Sequence, residues 1–277
     1  MTAQDPATVA NLPLEDSELR AHLPNALLRP YIREITAYRE VPDGTVRRQT
    51  LPLDKVVVIL GFESPMTIGT DRGRRMDSHK AFVAGLTDQP GFYEFGQASS
   101  GIQMNMTPLG ARLLLDRPMS EVANQVVEVD DLFGTTGPEL IERLREAQDW
   151  DSAFSLLESF VAARIADARP ASPAVAWAWR ALAETGGRVS VGVLARELGW
   201  SPKHLISQFK EQVGLPPKTM ARILRFNRVI GHLDEGDGRN WAEIAGLCGY
   251  YDQAHLVRDF KQFAGTTPSR FVLQNVG

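Results

Sequence analysis

The chain has 277 residues and a formal net charge of −4, which allows a sizeable core and two domains. Hydrophobic residues make up 43% and charged residues 23% of the sequence, as in globular proteins, and no apolar run approaches the roughly 18 residues of a membrane span. The single cysteine, Cys248, excludes an intramolecular disulfide and any multi-cysteine zinc site.

The N-terminal residues 1–22 are polar, include Pro6 and Pro13 and show no periodicity, so we expect a flexible tail. The segment lacks the basic and apolar regions of a signal peptide. We therefore expect a cytoplasmic protein without a membrane partner.

Residues 23–106 carry mainly strand signals. Short apolar or alternating runs, separated by glycine-rich breaks at 69–73 and 91–101, are typical of strands; they cover residues 55–60, 81–85, 92–95 and 102–106. They predict a small antiparallel sheet or a partial barrel.

Beyond Pro108 the apolar spacing becomes helical, over residues 109–115, 119–127, 138–147 and 150–168. Two prolines at 169–173 then interrupt the pattern. We place a domain boundary there, between an N-terminal sensory or dimerisation domain (23–169) and a C-terminal domain (170–277). The predicted fold is an α+β domain followed by an all-α domain.

The C-terminal domain contains the same sequence motif twice, about fifty residues apart. Each copy has a short helix, a glycine turn and a second helix with an N-cap, and the copies span residues 191–212 and 241–263. The matched positions are Gly199 and Gly249, Trp200 and Tyr250, His204 and His255, Leu205 and Leu256, Phe209 and Phe260, and Lys210 and Lys261. This layout predicts two helix-turn-helix units that read duplex DNA.

Helical spacing separates an inner face from an outer face in each second helix. Leu205, Phe209, Leu256 and Phe260 are predicted to face inward. The outer faces carry Lys203, Ser207 and Lys210 in the first unit, and Gln253, Ala254, Arg258 and Lys261 in the second. Short polar and cationic side chains at these places suit contacts to base edges and phosphates.

A long helix, predicted over 218–233, joins the two units. Arg222, Arg225 and Arg228 recur along one side of it, and the pattern fits either DNA-backbone contacts or a solvated face. Charge also divides along the chain: residues 188–277 hold 12 basic and 8 acidic residues, so the predicted DNA-binding part is positive.

These residues resemble the AraC/XylS family of bacterial transcription regulators over roughly 189–271. The first unit shares Leu194, Ala195, Leu198, Gly199, Ser201, His204, Leu205, Phe209, Lys210, Gly214, Pro217 and Lys218. The linker helix shares Arg225 and Phe226, and the second unit shares Ile244, Ala245, Gly249, Tyr250, residues 252–256, 258–261 and 265–268, and Phe271.

The resemblance implies a regulator that places both recognition helices in adjacent major grooves of promoter DNA. It implies RNA polymerase as a partner, and an N-terminal domain that binds a small-molecule effector or forms a homodimer. Carried over by position, base contacts fall on Lys203, Ile206 and Ser207 in the first unit and on Gln253, Ala254 and Arg258 in the second.

Several residues admit two interpretations. His204 and His255 fit structural packing better than a pH switch or metal site, and Cys248 fits a core position better than a redox sensor. The aromatic residues Phe62, Phe82, Phe92, Tyr93 and Phe95 either fill the core of the sheet or line a ligand cavity.

The sequence predicts no catalytic, cofactor or metal site, because it contains no nucleophile triad, phosphate-binding loop or metal motif. The alternative to a transcription regulator is a catalytic or small-molecule-binding module that an appended helix-turn-helix domain targets to DNA.

Overall fold

The computed structural model describes residues 17–70, 73–234 and 240–275. The strands described in its N-terminal part are β1 Glu18–His22, β2 Ile32–Glu40, β3 Val46–Thr50, β4 Val56–Gly61, β5 Met66–Thr70, β6 Gly73–His79, β7 Ala81–Ala84, β8 Gly91–Phe95, β9 Ser99–Met106 and β10 Val126–Glu128. The helices described there are α1 Pro108–Leu115, α2 Val129–Phe133, α3 Thr136–Arg145 and α4 Trp150–Asp167, with a 3-10 turn at Met119–Glu121.

The strands form two antiparallel sheets, one with the order β1-β2-β9-β4-β7-β10 and one with the order β3-β8-β5-β6. β4 lies inside the larger sheet, and its alternate residues serve different cores. Val56, Val58 and Leu60 join the main core, whereas Ile59 packs with residues of both sheets in a smaller cluster. Both faces are therefore covered, which explains why this strand reads as an unbroken apolar run.

The N-terminal predictions need three corrections. Residues 18–22 are not part of a tail, because β1 pairs with β2 and Arg20 contacts Asp151 of α4; residues 1–16 lie outside the described residues. The helix predicted over 119–127 is wrong: it is a 3-10 turn followed by β10, which pairs with β7. The glycine-rich stretches are not simple breaks, since Gly69 and Gly101 lie within β5 and β9.

The C-terminal part is helical, as predicted. Its described helices are α5 Pro173–Glu184, α6 Val191–Glu197, α7 Pro202–Val213, α8 Pro217–Asp234, α9 Trp241–Cys248, α10 Gln253–Ala264 and α11 Pro268–Asn275. The predicted break at 169–173 falls between α4 and α5, where Ser172 caps α5 and Pro173 occupies its first turn.

The two parts share one continuous buried core. Gln49 Nε2 donates to the carbonyl of Ala264 at the end of α10 over 2.9 Å, and Asn227 Nδ2 of α8 donates to the carbonyl of Pro52 over 2.8 Å. The N-terminal part therefore contacts the helices that carry the second unit.

Candidate nucleic-acid interface

Each recognition helix begins at a side-chain cap. Ser201 Oγ accepts from the backbone N–H of His204 over 3.2 Å at the start of α7, and Asp252 Oδ1 accepts from the backbone N–H of His255 over 2.7 Å at the start of α10. These bonds satisfy N–H groups that have no partner within the helix. The caps confirm the helix starts predicted from the sequence.

The turn of each unit contains a glycine in the left-handed region, with φ of 64° at Gly199 and 83° at Gly249. This left-handed conformation turns the chain sharply between the two helices. Most other residues would be strained in it, because their Cβ would lie too close to the backbone. The equivalence of these glycines in the sequence is therefore also an equivalence in backbone geometry.

The repeat brings its aromatic residue and its histidine together in both units. The rings of Trp200 and His204 meet edge to face with centroids 4.5 Å apart, and those of Tyr250 and His255 do so at 5.1 Å. This geometry supports the structural interpretation of both histidines. Among the described residues no cluster of His, Cys, Asp and Glu is suited to hold a metal ion.

The inner faces of α7 and α10 are buried as predicted, with Leu205, Phe209 and Leu256 at 0% exposure. The candidate contact residues are all exposed; they are Lys203, Ile206, Ser207 and Lys210 on α7, and Gln253, Ala254, Arg258 and Lys261 on α10. None of the four cations in this set pairs with a carboxylate within the part of the chain that the structure describes. We call these two exposed faces the reading faces.

One exposed residue beside the second reading face was missed in the sequence. Tyr251 is 94% exposed and directly precedes the cap residue Asp252. The available signal in the sequence was a second tyrosine directly after Tyr250 and before the cap residue Asp252, and its exposure is known only from the structure.

The arginine row of α8 is not a freely solvated face, because its side chains have partners within the protein. Arg222 forms an ion pair with Asp259 of α10, Arg225 donates to the carbonyl of Gly187 over 2.7 Å, and Arg228 donates to the carbonyl of Leu247 over 3.1 Å. The row therefore joins α8 to both helices of the second unit and to the loop that precedes the first unit. Arg188 also donates to the Leu247 carbonyl, so two cations meet the end of α9, where the helix dipole is negative.

Cys248 lies at the C-terminal end of α9 and is fully buried, as the core interpretation predicted. Burial raises the pKa of its thiol to about 11, because a thiolate would be poorly solvated there. Burial also raises the pKa of the neighbouring Tyr250 phenol, and the charge of Asp259 adds to the effect. Both groups are therefore neutral at pH 7.

The aromatic residues that the sequence singled out in the N-terminal part are mostly buried. Phe62, Phe82, Phe92 and Phe95 are buried. Phe62 and Phe82 belong to hydrophobic clusters, as the core interpretation predicts, whereas Phe95 lines a small cavity together with Thr45, Thr67 and Glu94. Tyr93 accepts from the buried Arg48, whose guanidinium also donates to Glu40 over 2.8 Å.

Two capped helix-turn-helix units on a shared linker helix define a DNA-binding domain of the double helix-turn-helix class. Residues 194–274 match the family model described as a helix-turn-helix domain, and this region is of the AraC type. The resemblance to AraC/XylS regulators is thus confirmed for the C-terminal part of the chain.

Solved structures also resemble this chain. ToxT from Vibrio cholerae O395 is 11% identical, with 90% of this chain and 99% of that chain covered and a TM-score of 0.46. The C-terminal domain of AraT, a response regulator from Geobacillus stearothermophilus, is 22% identical, with coverage of 38% and 87% and a TM-score of 0.35. No curated protein matches the chain. No described helix is long and apolar enough to cross a membrane.

Proposed function

We propose that the protein is a transcription regulator that binds promoter DNA sequence-specifically, with α7 and α10 in successive major grooves. The observation that carries the proposal is the pair of reading faces. Both lie at equivalent positions of the repeat, both are exposed, and both carry cations without carboxylate partners in the described chain. Such cations are free to meet phosphates, and the neighbouring short side chains can approach base edges.

The two reading faces differ in what they offer to DNA. On α10, Arg258 is suited to a bidentate contact with guanine and Gln253 to one with adenine, while Ala254 suits a thymine methyl group. On α7, Ile206 and Ser207 offer a methyl contact and a weak hydrogen bond, beside Lys203. Lys210 and Lys261 lie further along each helix and suit phosphates, as does the hydroxyl of Tyr251.

The arginines of α8 support a fixed geometry between the two units. Arg222 donates to Asp259 of α10, Arg225 donates to the carbonyl of Gly187 in the loop before α6, and Arg228 donates to the carbonyl of Leu247 in α9. Units held in this way suit one spacing along the duplex, which for successive grooves is about 34 Å.

We further propose that the N-terminal domain senses an effector or forms a homodimer, and that the protein acts as a regulator rather than an enzyme. Its contacts to Ala264 and to Asn227 support a route by which that domain influences the second unit. The proposal places the protein in the cytoplasm, beside the promoter and RNA polymerase.

Footprinting of the full-length protein on the DNA upstream of its own gene tests the proposal. We expect two protected elements on one face of the duplex, about 10 base pairs apart and unlike in sequence, because the reading faces differ. Arg143→Ala, on the exposed side of α3, is the control and should leave the footprint unchanged. No sequence-specific protection, or a palindrome within one monomer's footprint, would contradict the proposal.

A further inference from the structure

A cleft of about 310 Å³ lies where the N-terminal domain meets the first helix-turn-helix unit. Its walls come from three separate parts of the chain: the end of α1 with its following loop, the segment between α4 and α5, and the last turns of α7. The lining residues are Arg112, Asp116, Arg117, Pro118, Arg169 and Glu211.

The charge of this lining is unusual for a contact between domains. Three guanidinium groups and two carboxylates face one space, and Pro118 is the one apolar residue among the six. The Nε atoms of Arg112 and Arg117 are buried and have no acceptor among the described residues. Because these two Nε atoms are shielded from solvent, a ligand in the cleft would meet the other N–H groups of the guanidinium groups, which match the oxygens of carboxylates and phosphates in shape as well as charge.

We propose that this cleft binds a small organic anion, a carboxylate or a phosphate ester that also carries hydroxyl or amino groups. The arginines would hold the oxyanion, and Asp116 and Glu211 would accept hydrogen bonds from the donors of the ligand. Glu211 already accepts a bond from Gln208 over 3.3 Å, which leaves its other oxygen for a ligand. The scarcity of apolar lining disfavours a fatty or aromatic ligand.

The position of the cleft gives such a ligand a route to the DNA-binding part. Gln212, next to Glu211 on α7, accepts from the backbone N–H of Ser172 over 2.7 Å. Gly214, which ends α7, lies against the backbone of Met119 in the 3-10 turn. A ligand held by Arg117 and Glu211 together would therefore bridge the N-terminal domain and the first recognition helix. The site itself does not depend on the proposed DNA binding.

Calorimetry on the full-length protein without DNA tests the site directly. The probes are glycerol 3-phosphate, citrate and inorganic phosphate, each compared with sodium chloride at equal ionic strength. We expect one-to-one binding of at least one of the two organic anions, about threefold or more tighter than inorganic phosphate, because only the organic anions carry an alcohol hydroxyl far enough from the oxyanion to donate to Asp116 or Glu211 while the arginines hold the oxyanion. A preference for glycerol 3-phosphate or for citrate distinguishes a phosphate ligand from a carboxylate ligand.

Two variants locate the binding. Arg117→Gln and Arg169→Gln should each weaken the bound anion about tenfold, since each removes a charge-assisted hydrogen bond. Arg169 is exposed, so its replacement is expected to leave folding intact, and Arg143→Gln is the matched control on α3.

Three outcomes would overturn the proposal: no probe binds above the chloride baseline, inorganic phosphate binds as tightly as the organic anions, or both cleft variants bind like the wild type. Because binding is measured without DNA, a failure of the proposed regulator function leaves this result readable.

Discussion

The guanidinium of Arg222 in α8 donates to Oδ1 of Asp259 in α10 over 2.8 Å, and the Asp259 side chain is only 5% exposed. The same guanidinium donates to Oε1 of Gln262 over 2.6 Å and lies over the ring of Phe263. One arginine of the linker helix α8 thus contacts the second recognition helix on the side opposite its reading face.

Replacing Arg222 by alanine should lower the free energy of unfolding by about 3 kcal/mol, because it leaves the buried Asp259 carboxylate without its partner. Urea denaturation measures the change. Arg270→Ala, at an exposed position of α11, is the control and should stay within about 0.5 kcal/mol of the wild type. An equally small change for Arg222→Ala would show that the pair does not stabilise the domain.

Arg258 and Lys261 lie one turn apart on α10, and replacing them should change DNA affinity in different ways. Arg258→Ala is expected to cost about 1–3 kcal/mol on operator DNA and far less on scrambled DNA, because it removes a base contact. Lys261→Ala should weaken both DNAs alike and reduce the salt dependence by about one phosphate contact. Fluorescence anisotropy across a salt series measures both effects. Equal losses of affinity for the two DNAs in Arg258→Ala would contradict the assignment of a base contact to Arg258.

The equivalent turn glycines provide a matched pair. Gly199→Ala should cost about 1 kcal/mol, because a Cβ there meets nothing within 4 Å and only the left-handed φ opposes it. Gly249→Ala should cost more, since its Cβ would also lie 2.8 Å from Cγ of Arg188. Thermal and urea unfolding of both variants test the order, and a Gly199→Ala variant that is the less stable of the two would contradict it.

The buried thiol of Cys248 should make stability depend on pH in the alkaline range. Its pKa is about 11 in the folded protein against a reference value of 9.0, so the folded state keeps its proton where the unfolded state has lost it. This contribution is complete below about pH 9 and is lost as the pH rises towards 11. Urea denaturation across that range should show a steeper decline for the wild type than for Cys248→Ala. Parallel declines would argue against a buried neutral thiol.

The C-terminal domain was predictable because its determinants are local. A cap such as Ser201 bonds to an N–H three residues away, and a left-handed glycine such as Gly199 acts within one turn. Helical spacing then placed Leu205 and Phe209 on the buried face. The starts and ends of α7 and α10 therefore agree with the sequence-based prediction to within about two residues.

The N-terminal domain was less predictable because its strands depend on distant partners. β1 is polar and mostly exposed, and it is a strand because of its ladder with β2 and the ion pair of Arg20 with Asp151. Residues 126–128 continue a helical apolar pattern, yet they form β10 because the edge of β7 offers them backbone hydrogen bonds. Neither partner is visible in a local window of sequence.

Two capped helix-turn-helix units, and the side chains that face outward from them, can be derived from the sequence alone, since these properties depend on residues a few positions apart. The partners of the arginines, in contrast, depend on how the whole chain packs. Arg222 meets Asp259 across 37 positions, and Arg117 and Glu211 meet at one cleft from different domains. A long cationic side chain can reach many partners, and only the packing of the whole chain selects one.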